Sequence, residues 1–125
     1  MKVLALCHSG AVRSRAMANE LHRRGFRAMY GGLGLQDKRL LEAQMKWADR
    51  IIVMDESLLP KVPPEFKPKV TLADLGADVW GNPDHPDLKN RVRVITDEWQ
   101  RENWSFQPLR LKPKGPIPKA PENPT

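Results

Sequence analysis

The residues Cys7, Arg13 and Ser14 place a nucleophile, a guanidinium and a hydroxyl close together near the start of the chain. A cysteine thiolate is a strong nucleophile, and the planar guanidinium of an arginine can hold two phosphate oxygens at once. A serine hydroxyl directly after the arginine can donate to the sulfur, both as a thiolate and as a leaving group. Together the three residue types favour covalent chemistry on a phosphate ester.

The elements on either side of these residues explain how they would be brought together. Lys2 to Leu6 is mostly Val, Leu and Ala, as is typical of a central parallel strand buried on both faces. After Arg13, Met17 and Leu21 recur at helical spacing, so the sequence predicts a strand, a short loop and a helix start.

Backbone N–H groups in such a loop converge on one point, where the positive end of the helix dipole favours an anion. Gly10, in mid-loop, can take a positive φ without strain. The predicted phosphate-binding residues are His8, Ser9, Gly10, Ala11, Val12, Arg13 and Ser14. The alternative is that Cys7 is a buried thiol at a strand end and Arg13 is a solvated helix residue.

The pattern of Cys7, five residues, Arg13 and Ser14 after an N-terminal strand resembles the signature of the low-molecular-weight protein tyrosine phosphatases. Farther along, Trp47-Ala48-Asp49 leading into Ile51-Ile52-Val53-Met54 is similar to the stretch where that family enters its third strand. The chain departs from the family at Gly10, where family members usually carry an asparagine that braces the loop. The resemblance covers roughly residues 1 to 100 and implies a cysteine nucleophile at Cys7.

A cysteine phosphatase also needs a carboxyl group that protonates the leaving oxygen and later deprotonates a water. In the family this acid is an aspartate after the fourth strand, commonly followed by proline and then an aromatic. Asp78-Val79-Trp80 matches at the aspartate and the aromatic, so Asp78 is the predicted acid, with Asp84 as the alternative. Asp84 or His85 could instead cap the following helix. Trp80 is interpreted as a wall of the substrate pocket, with a place in the core as the alternative.

The order of predicted elements is βαβαβαβα, which indicates a three-layer α/β/α domain with a doubly wound parallel sheet of four strands. The family resemblance implies the strand order 2-1-3-4. Leu88, Val92, Ile95 and Trp99 predict a long amphipathic helix that closes the domain. We assign residues 1–104 to this domain and residues 105–125 to a basic, proline-rich tail.

Composition narrows the function further. The chain has 125 residues, a net charge of +6 and one cysteine, which excludes an internal disulfide. The basic residues are dispersed rather than interleaved with aromatics, so an anionic substrate explains the charge better than nucleic acid does. The first residues lack the long apolar run of a signal peptide or a membrane span, and we expect a cytoplasmic protein that does not bind membranes.

The sequence therefore predicts a phosphomonoester hydrolase that works through a phosphocysteine intermediate, without a metal or other cofactor. The resemblance implies a phosphotyrosine protein as its substrate. A thiol-dependent arsenate reductase uses a similar loop but generally draws on further cysteines, and a cysteine-phosphorylated sugar-transport component would leave Arg13 unexplained. The main alternative is a non-catalytic module that binds a phosphate or a phosphoprotein, and turnover separates it from an enzyme.

Overall fold

Parallel strands form the centre of the fold in a computed structural model that describes residues 1–34, 36–75, 79–102 and 110–111. The four main strands are β1 (Lys2–Cys7), β2 (Arg27–Gly32), β3 (Arg50–Val53) and β4 (Val70–Ala73). Helix α1 (Arg13–Arg23) follows β1, α2 (Lys38–Trp47) follows β2, and α3 (Pro86–Glu102) follows β4. The strands lie in the order β2-β1-β3-β4, so the predicted fold class and strand order are confirmed.

A short fifth strand extends the sheet beyond the prediction. Arg110–Leu111, which we call β5, pairs in parallel with β4, with Arg110 opposite Leu72 and Leu111 opposite Ala73. These two residues fall in the stretch assigned to the tail, and the rest of residues 103–125 lies outside the described residues. The division at residue 104 stays a prediction.

The sheet is buried on both faces because its strands carry apolar side chains in both directions. Val3, Leu4, Ala5 and Leu6 of β1 are fully buried, as expected for a central parallel strand. Helices α1 and α3 cover one face, through the residues Met17, Leu21, Leu88, Val92, Ile95 and Trp99. Helix α2 covers the other face, together with two 3-10 helices, Glu56–Lys61 and Pro64–Lys69.

Capping interactions fix helix α2 at both ends. The Asp37 carboxylate accepts hydrogen bonds from the N–H groups of Arg39 and Leu40, at 2.7 and 3.3 Å. At the other end, the Lys69 ammonium donates to the carbonyls of Met45 and Ala48, at 2.8 and 2.7 Å. Within the described ranges, none of the helices combines the length and apolar character that a membrane span requires.

Candidate active site

The loop from His8 to Val12 connects the carboxyl end of β1 to the start of α1. Cys7 is the last residue of β1 and pairs with Gly32 at the end of β2. On the other side of β1, the Met54 N–H donates to the Leu6 carbonyl at 2.9 Å. The ends of three neighbouring strands therefore meet around Cys7, at the edge of the sheet where open α/β folds bind ligands.

The Cys7 sulfur lies within hydrogen-bond distance of two groups of the signature. The Ser14 hydroxyl oxygen is 3.1 Å from the sulfur, and the Gly10 N–H donates to the sulfur at 3.2 Å. Cys7 and Ser14 are both fully buried. When the sulfur is a thiolate, the Ser14 hydroxyl can turn its proton toward it, so both contacts then stabilise a negative charge.

Gly10 has a φ of +76° and lies directly against the backbone of β2. A Cβ atom at position 10 would lie 2.7 Å from the Gly32 nitrogen, and one at position 32 would lie 2.5 Å from the Ser9 carbonyl carbon. Each of the two glycines therefore occupies space that a side chain on the other would need. At the position where the resembled family carries asparagine, the three atoms nearest to an added Cβ all belong to the backbone of β2.

The N terminus of α1 faces the loop without a side-chain cap among the described residues, and its first turn carries no acidic residue. Helix α2, by contrast, is capped by an aspartate. The first N–H groups of a helix have no carbonyl partner within the helix, and they carry the positive end of its dipole. The start of α1 is therefore suited to an anion.

Arg13 is 2% exposed, and its Nη1 atom lies 3.0 Å from the Asp55 Oδ2 atom. Burial alone raises the pKa of Asp55, but hydrogen bonds from the Ser57 N–H and hydroxyl, and from the Arg13 guanidinium, outweigh it and hold that pKa below its usual value. Asp55 therefore remains an anion at neutral pH and holds the guanidinium close to the loop.

Sequence reasoning missed Asp55. The sequence signal that could have found it is its position. Asp55 comes just after β3, a buried strand that pairs with β1, and it therefore lies at the same edge of the sheet as Cys7.

The remaining predicted phosphate-binding residues share the same loop. The Ala11 N–H donates to the Ser9 hydroxyl oxygen at 3.2 Å, and the Val12 carbonyl accepts the first hydrogen bond of α1 from Ala16. The His8 side chain is exposed, and its ring covers Gly34, where an added Cβ would lie 2.0 Å from the ring. His8 thus lies at the rim of the loop.

Of the two candidate acids, the structure describes only Asp84. Asp78 lies outside the described residues, so its role stays a prediction. Asp84 is exposed and lines a cavity of about 160 Å³ between α1 and α3, whose other lining residues are Ala16, Asn19, Glu20, Arg23, Pro83, Lys89 and Val92. No residue of the phosphate loop lines that cavity. The role of Asp84 as the alternative acid stays a prediction.

The residues around Asp84 have structural roles. The His85 Nδ1 atom accepts a hydrogen bond from the Asp87 N–H at 3.2 Å, and the His85 carbonyl accepts one from the Lys89 N–H at 3.0 Å. His85 therefore caps α3, as the structural interpretation of this residue predicts.

Trp80 is 4% exposed and belongs to the core between the sheet, α1 and α3. Its ring packs edge-on against His85, with centroids 5.6 Å apart, and the Arg91 guanidinium lies 5.2 Å from its centroid. This burial corrects the expectation of an exposed wall and matches the alternative place in the core.

No group of three or more His, Cys, Asp or Glu side chains within the described ranges is arranged to hold a metal ion. The described residues thus bring together a sulfur atom, a backbone N–H donor, a helix N terminus and a buried guanidinium. Such groups are those that proteins use to bind anions.

Comparison with solved structures finds the same fold in two phosphatases. One is YwlE arginine phosphatase from Geobacillus stearothermophilus, with a TM-score of 0.55 and 18% identity, covering 81% of this chain and 94% of that one. The other is the low molecular weight phosphotyrosine phosphatase VcLMWPTP-2 from Vibrio cholerae O395, with a TM-score of 0.52 and 16% identity, covering 82% of this chain and 99% of that one. No protein-family model matches the chain, and no curated protein matches its sequence. At these identities the likeness establishes a shared fold.

Proposed function

We propose that this protein is a phosphomonoester hydrolase that works through a phosphocysteine intermediate at Cys7. One observation carries the proposal: the Cys7 sulfur lies next to the N terminus of α1, 3.2 Å from the Gly10 nitrogen and 3.1 Å from the Ser14 hydroxyl oxygen. A buried structural thiol needs neither contact. A nucleophile that attacks a phosphate bound to the same loop needs both.

The reaction proceeds by two in-line displacements at phosphorus. The Cys7 thiolate attacks the phosphoryl group, the S–P bond forms, and the bond from phosphorus to the ester oxygen breaks. Arg13 and the loop N–H groups hold the equatorial oxygens and stabilise the charge that develops there. The acid, for which we propose Asp78, protonates the leaving oxygen. The same residue then takes a proton from a water that attacks phosphocysteine and releases phosphate and the thiolate.

We propose a phosphotyrosine protein as the substrate. The signature Cys7, Arg13 and Ser14 supports this assignment, as does the shared fold with a protein described as a phosphotyrosine phosphatase. The other structural neighbour is described as an arginine phosphatase, so phosphoarginine peptides form the comparison substrate. A ratio of kcat/KM on matched phosphotyrosine and phosphoarginine peptides distinguishes the two.

The test is hydrolysis of p-nitrophenyl phosphate by the intact chain between pH 5 and 7, with EDTA present. We expect turnover that orthovanadate inhibits, because vanadate takes the place of the pentacoordinate phosphorus on the loop. Rapid denaturation during turnover should trap phosphate on Cys7, at no more than one phosphate per chain. A folded chain that binds vanadate but releases no p-nitrophenol would contradict the enzyme and establish a phosphate-binding module.

Two aspartate variants test the assignment of the acid. We expect Asp78→Asn to lower kcat for p-nitrophenyl phosphate by about a hundredfold, since general acid catalysis contributes at least that factor. Asp84→Asn should stay within about twofold of the wild type, because Asp84 lines the cavity between α1 and α3. Phosphate affinity, measured by calorimetry, should be retained in both variants. Loss of turnover in Asp84→Asn alone would transfer the role of the acid to Asp84.

A further inference from the structure

Two glutamines connect the end of β2 to helix α2. The Gln36 Oε1 atom accepts a hydrogen bond from the Gly32 N–H at 2.9 Å, and the Gln36 Nε2 atom donates to the Gln44 Oε1 atom at 2.6 Å. Gln44 in turn donates from Nε2 to the Tyr30 carbonyl at 3.2 Å. We call this pair of side chains the glutamine relay. It joins both ends of the Tyr30–Gly32 segment through a residue of α2 that is 7% exposed.

Gly31 and Gly32 face two different neighbours. A Cβ atom at Gly31 would lie 2.8 Å from the side-chain oxygens of both Gln36 and Gln44, so the relay occupies that space. A Cβ atom at Gly32 would collide with Ser9 and Gly10 instead. One side of the segment therefore contacts the relay, and the other side contacts the phosphate loop.

Backbone hydrogen bonds attach the residues that directly follow this segment to Cys7 and to the start of the loop. The Gln36 N–H donates to the Gly32 carbonyl at 3.1 Å, so Gln36 binds both polar groups of that residue. The N–H groups of Leu33 and Gly34 donate to the carbonyls of Cys7 and His8, at 2.8 and 2.9 Å. We therefore expect a movement of Gly32 to displace the phosphate loop next to the Cys7 sulfur.

We propose that Gln36 and Gln44 are positioning residues for the phosphate loop. They fix Gly32, Gly32 forms the wall against which Gly10 packs, and the Gly10 N–H donates to the Cys7 sulfur. The relay supplies, from β2 and α2, the bracing that Gly10 has no side chain to provide. This inference rests on the proposed function of the same loop.

The relay can affect the sulfur site because Gly10 and Gly32 pack closely against each other, without room for a side chain between them. Two backbones in van der Waals contact transmit a displacement directly, because close-packed interiors have little room for compensating movement. The relay is largely buried, so each amide depends on the other for a partner. Removing Gln36 therefore frees the Gly32 N–H, and removing Gln44 takes away the acceptor that holds the Gln36 amide in position. In both cases we expect the Gly10 N–H to move away from the sulfur.

The experiment compares Gln44→Leu and Gln36→Leu with the control Leu41→Ala. Leu41 is also 7% exposed and belongs to the core under α2, but it forms no part of the relay. At a temperature where all variants are folded, we expect each glutamine variant to lower kcat/KM for p-nitrophenyl phosphate by about tenfold. Orthovanadate affinity, measured by calorimetry, should weaken by a similar factor.

The control should lower Tm and leave kcat/KM and vanadate affinity within about twofold of the wild type. The double variant should be no worse than either single glutamine variant, because both remove the same relay. Glutamine variants that lower only Tm, or whose effects on vanadate affinity add, would overturn the proposal. If Gln44→Leu does not fold, Gln36→Leu, which changes a half-buried loop residue, gives the same comparison.

Vanadate binding separates this inference from the proposed function. A wild-type chain that binds vanadate without hydrolysing p-nitrophenyl phosphate contradicts the phosphatase. In that case a weaker affinity in the two glutamine variants, and an unchanged affinity in Leu41→Ala, would still support the relay. Turnover in the wild type with unchanged turnover and affinity in the glutamine variants would contradict the relay alone.

Discussion

Replacing Cys7 by serine is expected to abolish hydrolysis of p-nitrophenyl phosphate while the chain remains folded. A serine hydroxyl is nearly isosteric with the thiol, so it fits the fully buried site and can keep the contacts with Gly10 and Ser14. It is not ionised near neutral pH, however, and no described side chain near it is placed as a base that could activate it. Initial rates at pH 6, measured beside the uncatalysed reaction, provide the readout.

The control for this variant is binding of inorganic phosphate, measured by calorimetry, together with far-UV circular dichroism. Both should match those of the wild type, because Arg13 and the loop N–H groups are retained. Turnover in Cys7→Ser above a few per cent of the wild-type rate would show that the sulfur is not the nucleophile. If Cys7→Ser loses both turnover and the circular dichroism signal of the folded chain, the same measurements are made on Cys7→Ala, whose smaller side chain also fits the site.

Gly10→Asn, which introduces the residue that the resembled family usually carries, is expected to reduce kcat/KM by about a thousandfold. Asparagine tolerates a positive φ better than most residues, so the backbone angle of +76° is not the main obstacle. The obstacle is space, because its Cβ would lie 2.7 Å from the Gly32 nitrogen and 2.8 Å from the Gly31 carbonyl carbon. The loop must shift to relieve these contacts, and displacing catalytic donors by an ångström or so costs two to three orders of magnitude in rate.

Gly25→Asn is the matched control for this prediction. Gly25 also has a positive φ, of +93°, but a Cβ at that position would meet nothing within 4 Å. The same substitution at the same kind of backbone angle should therefore leave kcat/KM within about twofold of the wild type. Wild-type activity in Gly10→Asn would show that β2 yields to the new side chain. Equal losses in both variants would assign the effect to the backbone angle instead.

Much of the fold could be predicted because local pattern and tertiary burial agree. The apolar residues from Val3 to Leu6 have no alternation, which is what burial on both faces of a parallel sheet requires. Leu88, Val92, Ile95 and Trp99 follow the period of a helix, and all four are 2% exposed or less. The proximity of Cys7 and Ser14 could also be predicted from the sequence. The two residues are close in sequence, and their arrangement depends on one strand and one helix.

The parts that sequence reasoning missed depend on contacts between distant segments. Asp55 pairs with Arg13 across 42 residues, and only the adjacency of β3 and β1 brings them together. Trp80 follows a segment rich in Gly and Asp, which favours a surface position, but its large ring is buried where α3 returns over the sheet. The pairing of β5 with β4 involves a proline-rich segment whose composition gives no strand signal.

The interlocked glycines at positions 10 and 32 also constrain how related sequences can diverge. Either position can accept a side chain only after the opposite backbone has moved away, so a substitution at one position alone produces a steric clash. We therefore expect the two positions to vary together among relatives of this chain. Lineages with asparagine at position 10 should differ at the end of the second strand, and those with paired glycines should form a separate branch.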